Sequence, residues 1–361
     1  MITINADRMR ALVADIFSAA GCSRAEAERI GHYLVIANLT GHDSHGVQRV
    51  PRYLEWLRSG TVNADREVKV LKETPVLALV DAQRGFGQTV APQAVDIGIR
   101  KAKAMGLSAV ALRNAGHIGR VGDWGERAAE AGLVSVHFVN AAGSALVAPY
   151  GGVERRFSTA PYCVGVPRAG AAPLILDFAT SIVAEGKVQN ASFGGKPLPA
   201  DALVDRDGSI SADPHVLYGQ YAPTALRDYT KGSGAIRAFG DHKGSGLAFM
   251  CEVLGGSLTG TGATEPGQVF ANGMLSFYID PQVIDPEGYF PADAAAFIAR
   301  VKATRPIDPK ADVLVPGEPE ERLRREREAN GLPLPENTWG AIAEAAIAVG
   351  LSKARVQEVT G

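Results

Sequence analysis

Hydrophobic periodicity changes twice along this chain, and the two changes bound the folds open to it. Residues 6 to 58 carry helical spacing. In "DRMRALVADIFSAAG" the side chains Met9, Leu12, Val13, Ile16 and Phe17 share one face, and Gly21 is a stop. "SRAEAERIGHYLVIANL" opens with Ser23 and Glu26 at capping-box spacing and places Ile30, Tyr33, Leu34 and Ala37 in its stripe. From about residue 68 the pattern alternates and turns β-branched. "EVKVLKETPVLALVDA", "LSAVALRN", "LVSVHFVN", "APLILDFATS" and "NGMLSFYID" predict strands. "APQAVDIGIRKAKAMG", "GRVGDWGERAAEAG" and the Gly-spaced "GLAFMCEVLGGSL" predict helices between them. After "YFPADAAAFIARVKA" the chain returns to helices: a charged, solvated "EPEERLRREREANG" and an amphipathic "ENTWGAIAEAAIAVG". The expected class is α/β. Residues 1–75 and 305–361 are expected to form one discontinuous α-helical domain around an α/β region of 76–304.

Composition narrows the function. A net charge of −2 gives nucleic acid or an anionic membrane no electrostatic hold. No apolar run reaches the eighteen or so residues that span a bilayer. The N-terminus carries charges inside its first apolar stretch, unlike a leader, so a cytoplasmic protein is expected. Cys22, Cys163 and Cys251 form no CxxC, which suits core thiols in a reducing compartment, and no metal is expected. "GFGQTV", "GSGAIR", "GSGLAF" and "GTGATE" all lack the third glycine of GxGxxG. GxxxxGK[ST], HExxH and GxSxG do not occur.

Five segments can carry chemistry. The first is "NLTGHDSHGVQRVPRYLEWL". As a helix starting near Ser44 it sets His45, Arg49, Arg52 and Tyr53 on one face. An imidazole beside guanidinium groups suits a carboxylate next to a carbonyl or hydroxyl: arginine binds the carboxylate in bidentate fashion and histidine moves a proton. Pro51 restricts this, because proline fits only a helix's first turn; a helix starting at Val50 keeps just Arg52 and Tyr53 on that face. Asp43 or Ser44 as a plain N-cap, and His42, Asp43 and His45 as metal ligands, are the alternatives. The second is "RNAGHIGRVGDWGERAAEAG", where Gly116, Gly119 and Gly122 precede a helix. It reads as a pyrophosphate cradle holding His117 and Arg120, or as an ordinary loop. The third places Asp177 of "ILDFATS" at a strand end or as a helix cap. The fourth sets Asp241, His242 and Lys243 before a Gly-rich helix, suited to phosphate or ribose. The fifth is a Pro316–Gly317 turn before an acidic helix start, Glu318 to Glu321. His137 reads as packed in its strand, and His215 is assigned no role.

In this order, "GHDSHGVQRVPRYL", "HIGRVGDWGERAAEAG", "VAPYGGVERRF", "ILDFATSIVAEGKV", "HKGSGLAFMCEVLGG" and "VPGEPEE" resemble the malate/L-lactate dehydrogenase family that lacks a Rossmann fold. The resemblance implies a non-Rossmann two-layer α/β sandwich with an α-helical domain from both termini, usually as a homodimer. It implies NAD or NADP as cofactor and a small 2-hydroxy or 2-oxo acid as substrate. Relatives acting on ureidoglycolate, diketogulonate or a cyclic imine are the alternatives, as is a nicotinamide-binding protein without turnover. Ser44 and His45 would form a relay and proton-transfer pair, with His45 also near the nicotinamide. His117 is the acid/base in some members. Arg49, Thr159, Glu185 and Gly186 would bind substrate. Gly119, Arg120 and Val121 would bind the cofactor, as would Ile175, Leu176, Asp177, Phe178 and Ala179. So would His242, Lys243 and the turn Gly317, Glu318, Pro319 and Glu320. The chain departs from the family's GTNP, where Ser158 stands for Gly and Ala160 for Asn, and "LPADALVDRDG" lacks a usual tryptophan.

Overall fold

The computed structural model describes residues 1–222 and 227–360. Strand β1 (Ile2–Ile4) leads into α1 (Ala6–Ala19), α2 (Arg24–Leu39) and α3 (Val50–Arg58). Asn5 caps α1 by accepting from the amides of Asp7 and Arg8. Ser23 caps α2 as expected, accepting from Glu26 N at 3.3 Å. The capping box does not close, because the Glu26 carboxylate turns inward and accepts from Asp65 N at 2.6 Å.

The central elements follow in order: β2 (Lys69–Glu73), β3 (Leu77–Asp81), α4 (Gly87–Met105), β4 (Leu107–Ala115), α5 (Gly122–Glu130), β5 (Val134–Ala142), β6 (Val147–Ala148), β7 (Pro161–Val166) and β8 (Leu174–Ala179). Then come α6 (Glu185–Ser192), β9 (Leu203–Val204), β10 (Ile210–Ser211), α7 (His215–Tyr218), β11 (Ala235–Arg237), α8 (His242–Cys251) and β12 (Ala271–Ile279). The last elements are α9 (Pro281–Ile284), α10 (Tyr289–Lys302), α11 (Glu318–Asn330), β13 (Leu332–Leu334), α12 (Glu336–Ala348) and α13 (Lys353–Gln357).

A seven-stranded sheet runs β2-β3-β4-β12-β5-β7-β8. Its one parallel pair is β3 with β4, joined by the α4 crossover; the other neighbours are antiparallel. That is a mixed α/β fold and not a doubly wound Rossmann sheet, which accounts for the missing GxGxxG turn. Because β2 pairs with β3, the sheet begins by residue 69, earlier than the expected boundary at 75. Alternation places Val139 in a core under α4 and α5 with Val80, Leu112, Trp124 and Met274. Phe138 and Asn140 point the other way, where a π-helical turn at Glu252–Ser257 lies on them. The segment "GLAFMCEVLGGSL" is therefore buried on one side only, with Phe249 55% and Met250 44% exposed.

The two ends of the chain meet. β1 pairs antiparallel with β13, and Leu12, Ile16, Phe17, Leu34 and Val50 share one cluster with Leu332, Leu334, Ile342 and Val356. Each such buried side chain contributes about 1.5–3 kcal/mol of transfer free energy. A third, smaller core joins Val147, Val183, Val188, Leu203, Leu217, Tyr218 and Ile236 around the sheet β10-β9-β11-β6. The short strands in it carry too few residues for alternation to register in sequence. No helix among the described residues is long and apolar enough to cross a membrane.

Candidate active site

The turn carrying His45 is not one helix. Two single 3₁₀ turns, Asp43–His45 and Val47–Arg49, precede α3, and Pro51 occupies the first turn of α3. Proline decides the matter as sequence suggested it would: the helix begins at Val50, and the shared helix face of His45 and Arg49 is lost. They meet by another route. Arg49 folds back so that Nε donates to Ser44 O at 2.6 Å. Asn38 sets the turn, its Oδ1 accepting from Val47 N at 2.8 Å and its Nδ2 donating to Asp43 at 2.7 Å.

His45 and His117 stack with ring centroids 5.3 Å apart and planes inclined by 25°. Ser44 Oγ lies 2.8 Å from His45 Nδ1, and the Tyr53 hydroxyl lies 2.6 Å from His117 Nδ1. Both rings are half-buried, each with part of its surface still accessible. Burial pulls the His45 pKa well below the ordinary value, helped by the charges of His117, Arg49, His42 and Lys187. Burial, then Arg49, brings His117 down to about 3. Both imidazoles are neutral near neutral pH. Among the described residues no acidic side chain pairs with Arg49, whose field also reaches Tyr53 and Tyr218.

The surroundings of the two rings come from distant segments. The His117 loop is tied on both sides: Gly116 N donates to Gly85 O at 2.8 Å, and Ile118 N donates to Asn272 Oδ1 at 3.0 Å. Gly87 lets α4 reach it, since a Cβ there would fall 2.2 Å from His117 O. Gly186, in the first turn of α6, presses on Ser44; its Cβ would sit 2.6 Å from that of Ser44. Glu185 accepts from the Tyr218 hydroxyl at 2.6 Å, and burial, then Glu185, pushes that phenol's pKa up. Phe270 lies 6.2 Å from His117 and stacks on Trp56 at 4.5 Å.

The other segments singled out in sequence line up along β8, the edge strand of the sheet. At its start, Ile175 N donates to Pro316 O at 3.3 Å, and Gly317, at φ 92°, backs onto Ile175. In its middle, Asp177 Oδ2 accepts from Gly122 N at 2.7 Å, at the first turn of α5. Past its end, Thr180 O accepts from Phe239 N at 3.1 Å, three residues before His242 opens α8. Leu176 is 39% exposed on this edge, and Phe178 meets Phe239 with ring centroids 5.2 Å apart. Glu318 is engaged by Lys302 and by Val315 N, and the Lys302 bond leads in lowering its pKa. Glu320 and Asp177 both bear on His42; burial, the largest influence, depresses the His42 pKa.

Asp177 thus corrects two expectations. It lies inside its strand, and it caps α5 rather than the segment after it. The α5 amide offered for a pyrophosphate is therefore already occupied. Arg120, 2% exposed, is enclosed by Asp123, Glu126 and Asp177, whose charges raise its pKa against the effect of burial. Its Nε is 3.1 Å from Asp123 Oδ1 but not aligned for a hydrogen bond, and Nη1 has no partner. Burial pushes Asp123 up to about 7 despite Arg120. This corner is rich in acceptors and keeps two buried spare donor atoms, Arg120 Nε and Nη1. It fits the hydroxyl and amide groups of a dinucleotide better than its pyrophosphate.

The malate/L-lactate dehydrogenase family model matches residues 4–343. The chain belongs to this family. Hydroxycarboxylate dehydrogenase B of Escherichia coli (strain K12) is 38% identical over 360 residues, spanning 98% of this chain and 96% of that protein. L-sulfolactate dehydrogenase of Methanothermobacter thermautotrophicus is 31% identical over 333 residues, 90% and 91% of the two chains. The solved sulfolactate dehydrogenase of Methanocaldococcus jannaschii superposes with a TM-score of 0.84 at 28% identity, each chain covered in full.

Within this malate/L-lactate dehydrogenase family member the unusual "STAP" segment has its own support. Ser158 donates from Oγ to the buried Glu252 at 2.7 Å and accepts from Ala160 N at 3.1 Å. That bond holds Ala160 at φ 25°, where a β-carbon is strained. Thr159 O accepts from Thr180 N at 3.0 Å, linking the segment to the end of β8. Tyr218, Gln88 and Phe270 join the site without having been singled out. Tyr218 lies in "SADPHVLYG", the segment assigned nothing, and Gln88 lies in "GFGQTV", weighed only as a failed glycine motif.

Proposed function

We propose that this family member interconverts a small 2-hydroxy acid and its 2-oxo acid, with NAD or NADP as hydride partner. One observation carries the proposal. Arg49, anchored through Nε on Ser44 O and without an acidic partner among the described residues, lies close enough for its charge to act on the two stacked imidazoles. A planar fork without an acidic partner suits a carboxylate, and an imidazole one carbon away suits its 2-oxygen. Glu185, Gly186 and Thr159 bound the substrate side. Gly119, Arg120, Val121, Ile175 to Ala179, His242, Lys243 and Gly317 to Glu320 would hold the dinucleotide along β8. The bound nicotinamide supplies or accepts the hydride at C2.

The protein's own part is positioning and proton transfer. In the reducing direction the substrate oxygen takes a proton from a histidine in its imidazolium form as C2 gains hydride, and the ring returns to neutral. A bound carboxylate cancels the charge of Arg49, one of the influences that depress His45 and His117. Substrate binding and protonation therefore reinforce each other. The exposed Phe249, Met250 and Leu258 at 64% support a homodimer through the α8 face. The shared core of the two termini supports a discontinuous helical domain on the substrate side.

The test is oxidation of NADH and of NADPH across pyruvate, oxaloacetate, phenylpyruvate and a cyclic imine carboxylate. Turnover of at least one 2-oxo acid is expected. Turnover of the imine alone, or cofactor binding with no turnover, overturns the proposal.

A further inference from the structure

His117 is held by a chain that the proposed chemistry does not use. Gln88 Nε2 donates to the Tyr53 oxygen at 3.0 Å, and that hydroxyl lies 2.6 Å from His117 Nδ1. Tyr53 is 1% exposed and Gln88 0%, so neither turns to water. A phenol has one proton. With an amide N–H directed at its oxygen, that proton has one acceptor in reach, His117 Nδ1. A neutral imidazole that accepts at Nδ1 carries its hydrogen on Nε2. In this orientation Gln88 Oε1 is buried without a partner. His45 has no such lock, because the Ser44 hydroxyl can rotate either to donate to Nδ1 or to accept from it.

We infer that Gln88 and Tyr53 are positioning residues that hold His117 as the Nε2–H tautomer, making it a neutral hydrogen-bond donor to the substrate oxygen and leaving proton transfer to His45. The inference rests on the proposed 2-oxo acid chemistry for its consequence, though not for its geometry. A neutral imidazole that gave up Nε2–H would become an imidazolate, which is strongly disfavoured. As a fixed donor it loses nothing: it polarises the carbonyl and steadies the oxyanion that forms as hydride arrives. The oxygen then takes its proton from His45 in its imidazolium form, which returns to the neutral ring: Ser44 can rotate to accept from a protonated Nδ1 of His45, whereas the Tyr53 hydroxyl occupies Nδ1 of His117. Burial keeps Tyr53 protonated, with its pKa pushed up to about 12.

The experiment reads the tautomer directly, by long-range proton–nitrogen NMR on the full chain with nitrogen-labelled histidine. The His117 signal is assigned by its loss in His117→Gln. At neutral pH the wild type is expected to show Nε2–H. Gln88→Glu keeps the shape but turns the donor into an acceptor. Tyr53 then donates to the carboxylate, accepts from His117, and switches the ring to Nδ1–H. That variant should lose about 10²-fold in kcat, the scale of one lost oxyanion donor, while the KM set by Arg49 stays near its wild-type value. Tyr53→Phe, which adds no charge to the core, should give a tautomer mixture and a smaller loss. His117→Gln, which keeps an N–H donor, should retain more activity than His117→Ala. An Nδ1–H ring in the wild type, or folded Gln88→Glu and Tyr53→Phe with the ring unchanged, overturns the inference. The tautomer needs no substrate. An Nε2–H ring in a protein that reduces no 2-oxo acid would refute the proposed reaction and leave this assignment standing.

Discussion

Arg327 and Asp43 form a two-pronged ion pair, Nη1 to Oδ1 at 2.7 Å and Nη2 to Oδ2 at 3.2 Å, that ties α11 to the turn carrying His45. That turn is thus braced by a residue 284 positions further along the chain. Arg327 also donates to Asn38 O, the residue that sets the turn from the other side. The Arg327 side chain is 13% exposed and that of Asp43 49%, so solvent screens only one partner well. Arg327→Ala is expected to cost about 1–2 kcal/mol in urea unfolding and to lower kcat through a looser His45. An unchanged kcat would show that the pair serves stability alone.

His45→Ala is expected to lower turnover by roughly two to four orders of magnitude, the scale of lost acid/base catalysis. Steady-state rates with saturating cofactor measure it. Rates close to wild type would remove His45 from the chemistry.

Part of this site was legible in sequence, and the physical reasons differ by residue. His45 and Arg49 stand out in sequence because they lie four apart, although Pro51 moves the helix start and Arg49 is held by the Ser44 carbonyl rather than by a shared helix face. Asp177 was found by its apolar approach. Its target, the amide of Gly122, lies 55 residues away and leaves no local trace. Tyr218 and Glu185 pair across 33 residues, and Gln88 acts on Tyr53 across 35, so neither has a spacing to read. The long strands β3, β4, β5, β8 and β12 announced themselves by alternation. The two- and three-residue strands did not.

Glycine 87 is expected to be intolerant of a side chain. A Cβ there would meet His117 O at 2.2 Å and Ile118 Cα at 2.4 Å, both backbone atoms that cannot swing aside. Gly87→Ala should cost about 1–3 kcal/mol and lower kcat by displacing the His117 loop. Gly340→Ala is the control. It lies in α12 with nothing within 4 Å of a new Cβ, and should stabilise by about 0.4–1 kcal/mol. Thermal unfolding of the two variants should therefore shift in opposite directions.

Stability should fall as pH is lowered below about 6.5. Burial brings both His117 and His137 to about 3 from 6.5, and His45 well below 6.5. Between those limits the unfolded chain binds protons that the folded one does not, so the free energy of unfolding rises with pH. Asp123, raised by burial to about 7 from 3.8, acts in the opposite sense, since its folded form holds a proton that the unfolded form has released. Glu26, also raised by burial, acts with Asp123, but five imidazoles, those of His32, His42, His45, His117 and His137, are depressed by burial and leave the net slope positive. His137 isolates one contribution: it is 0% exposed, bonded only to Ser276 and Ser135, and remote from the chemistry. His137→Asn should reduce the slope of unfolding free energy between about pH 4 and 6 by up to about 1.4 kcal/mol per pH unit. An undiminished slope in a folded variant would mean that His137 is protonated in the native state.

Arg49→Lys and Arg49→Ala separate charge from geometry. If the guanidinium fork grips the substrate carboxylate, lysine keeps the charge but loses the second donor and the link to Ser44 O. Both variants should raise KM for the oxo acid, lysine included, by about tenfold or more, on the scale of a lost charge-assisted hydrogen bond. The same substitutions act on the histidines with opposite outcomes. Arg49→Ala removes a positive charge that depresses both His45 and His117, so both pKa values should rise; Arg49→Lys should leave them nearly in place. A pH profile of kcat/KM in each variant reads this shift apart from the KM effect. An unchanged KM in Arg49→Ala would take the carboxylate away from Arg49. A raised KM with unmoved histidine pKa values would leave the clamp intact but remove the coupling between substrate binding and protonation.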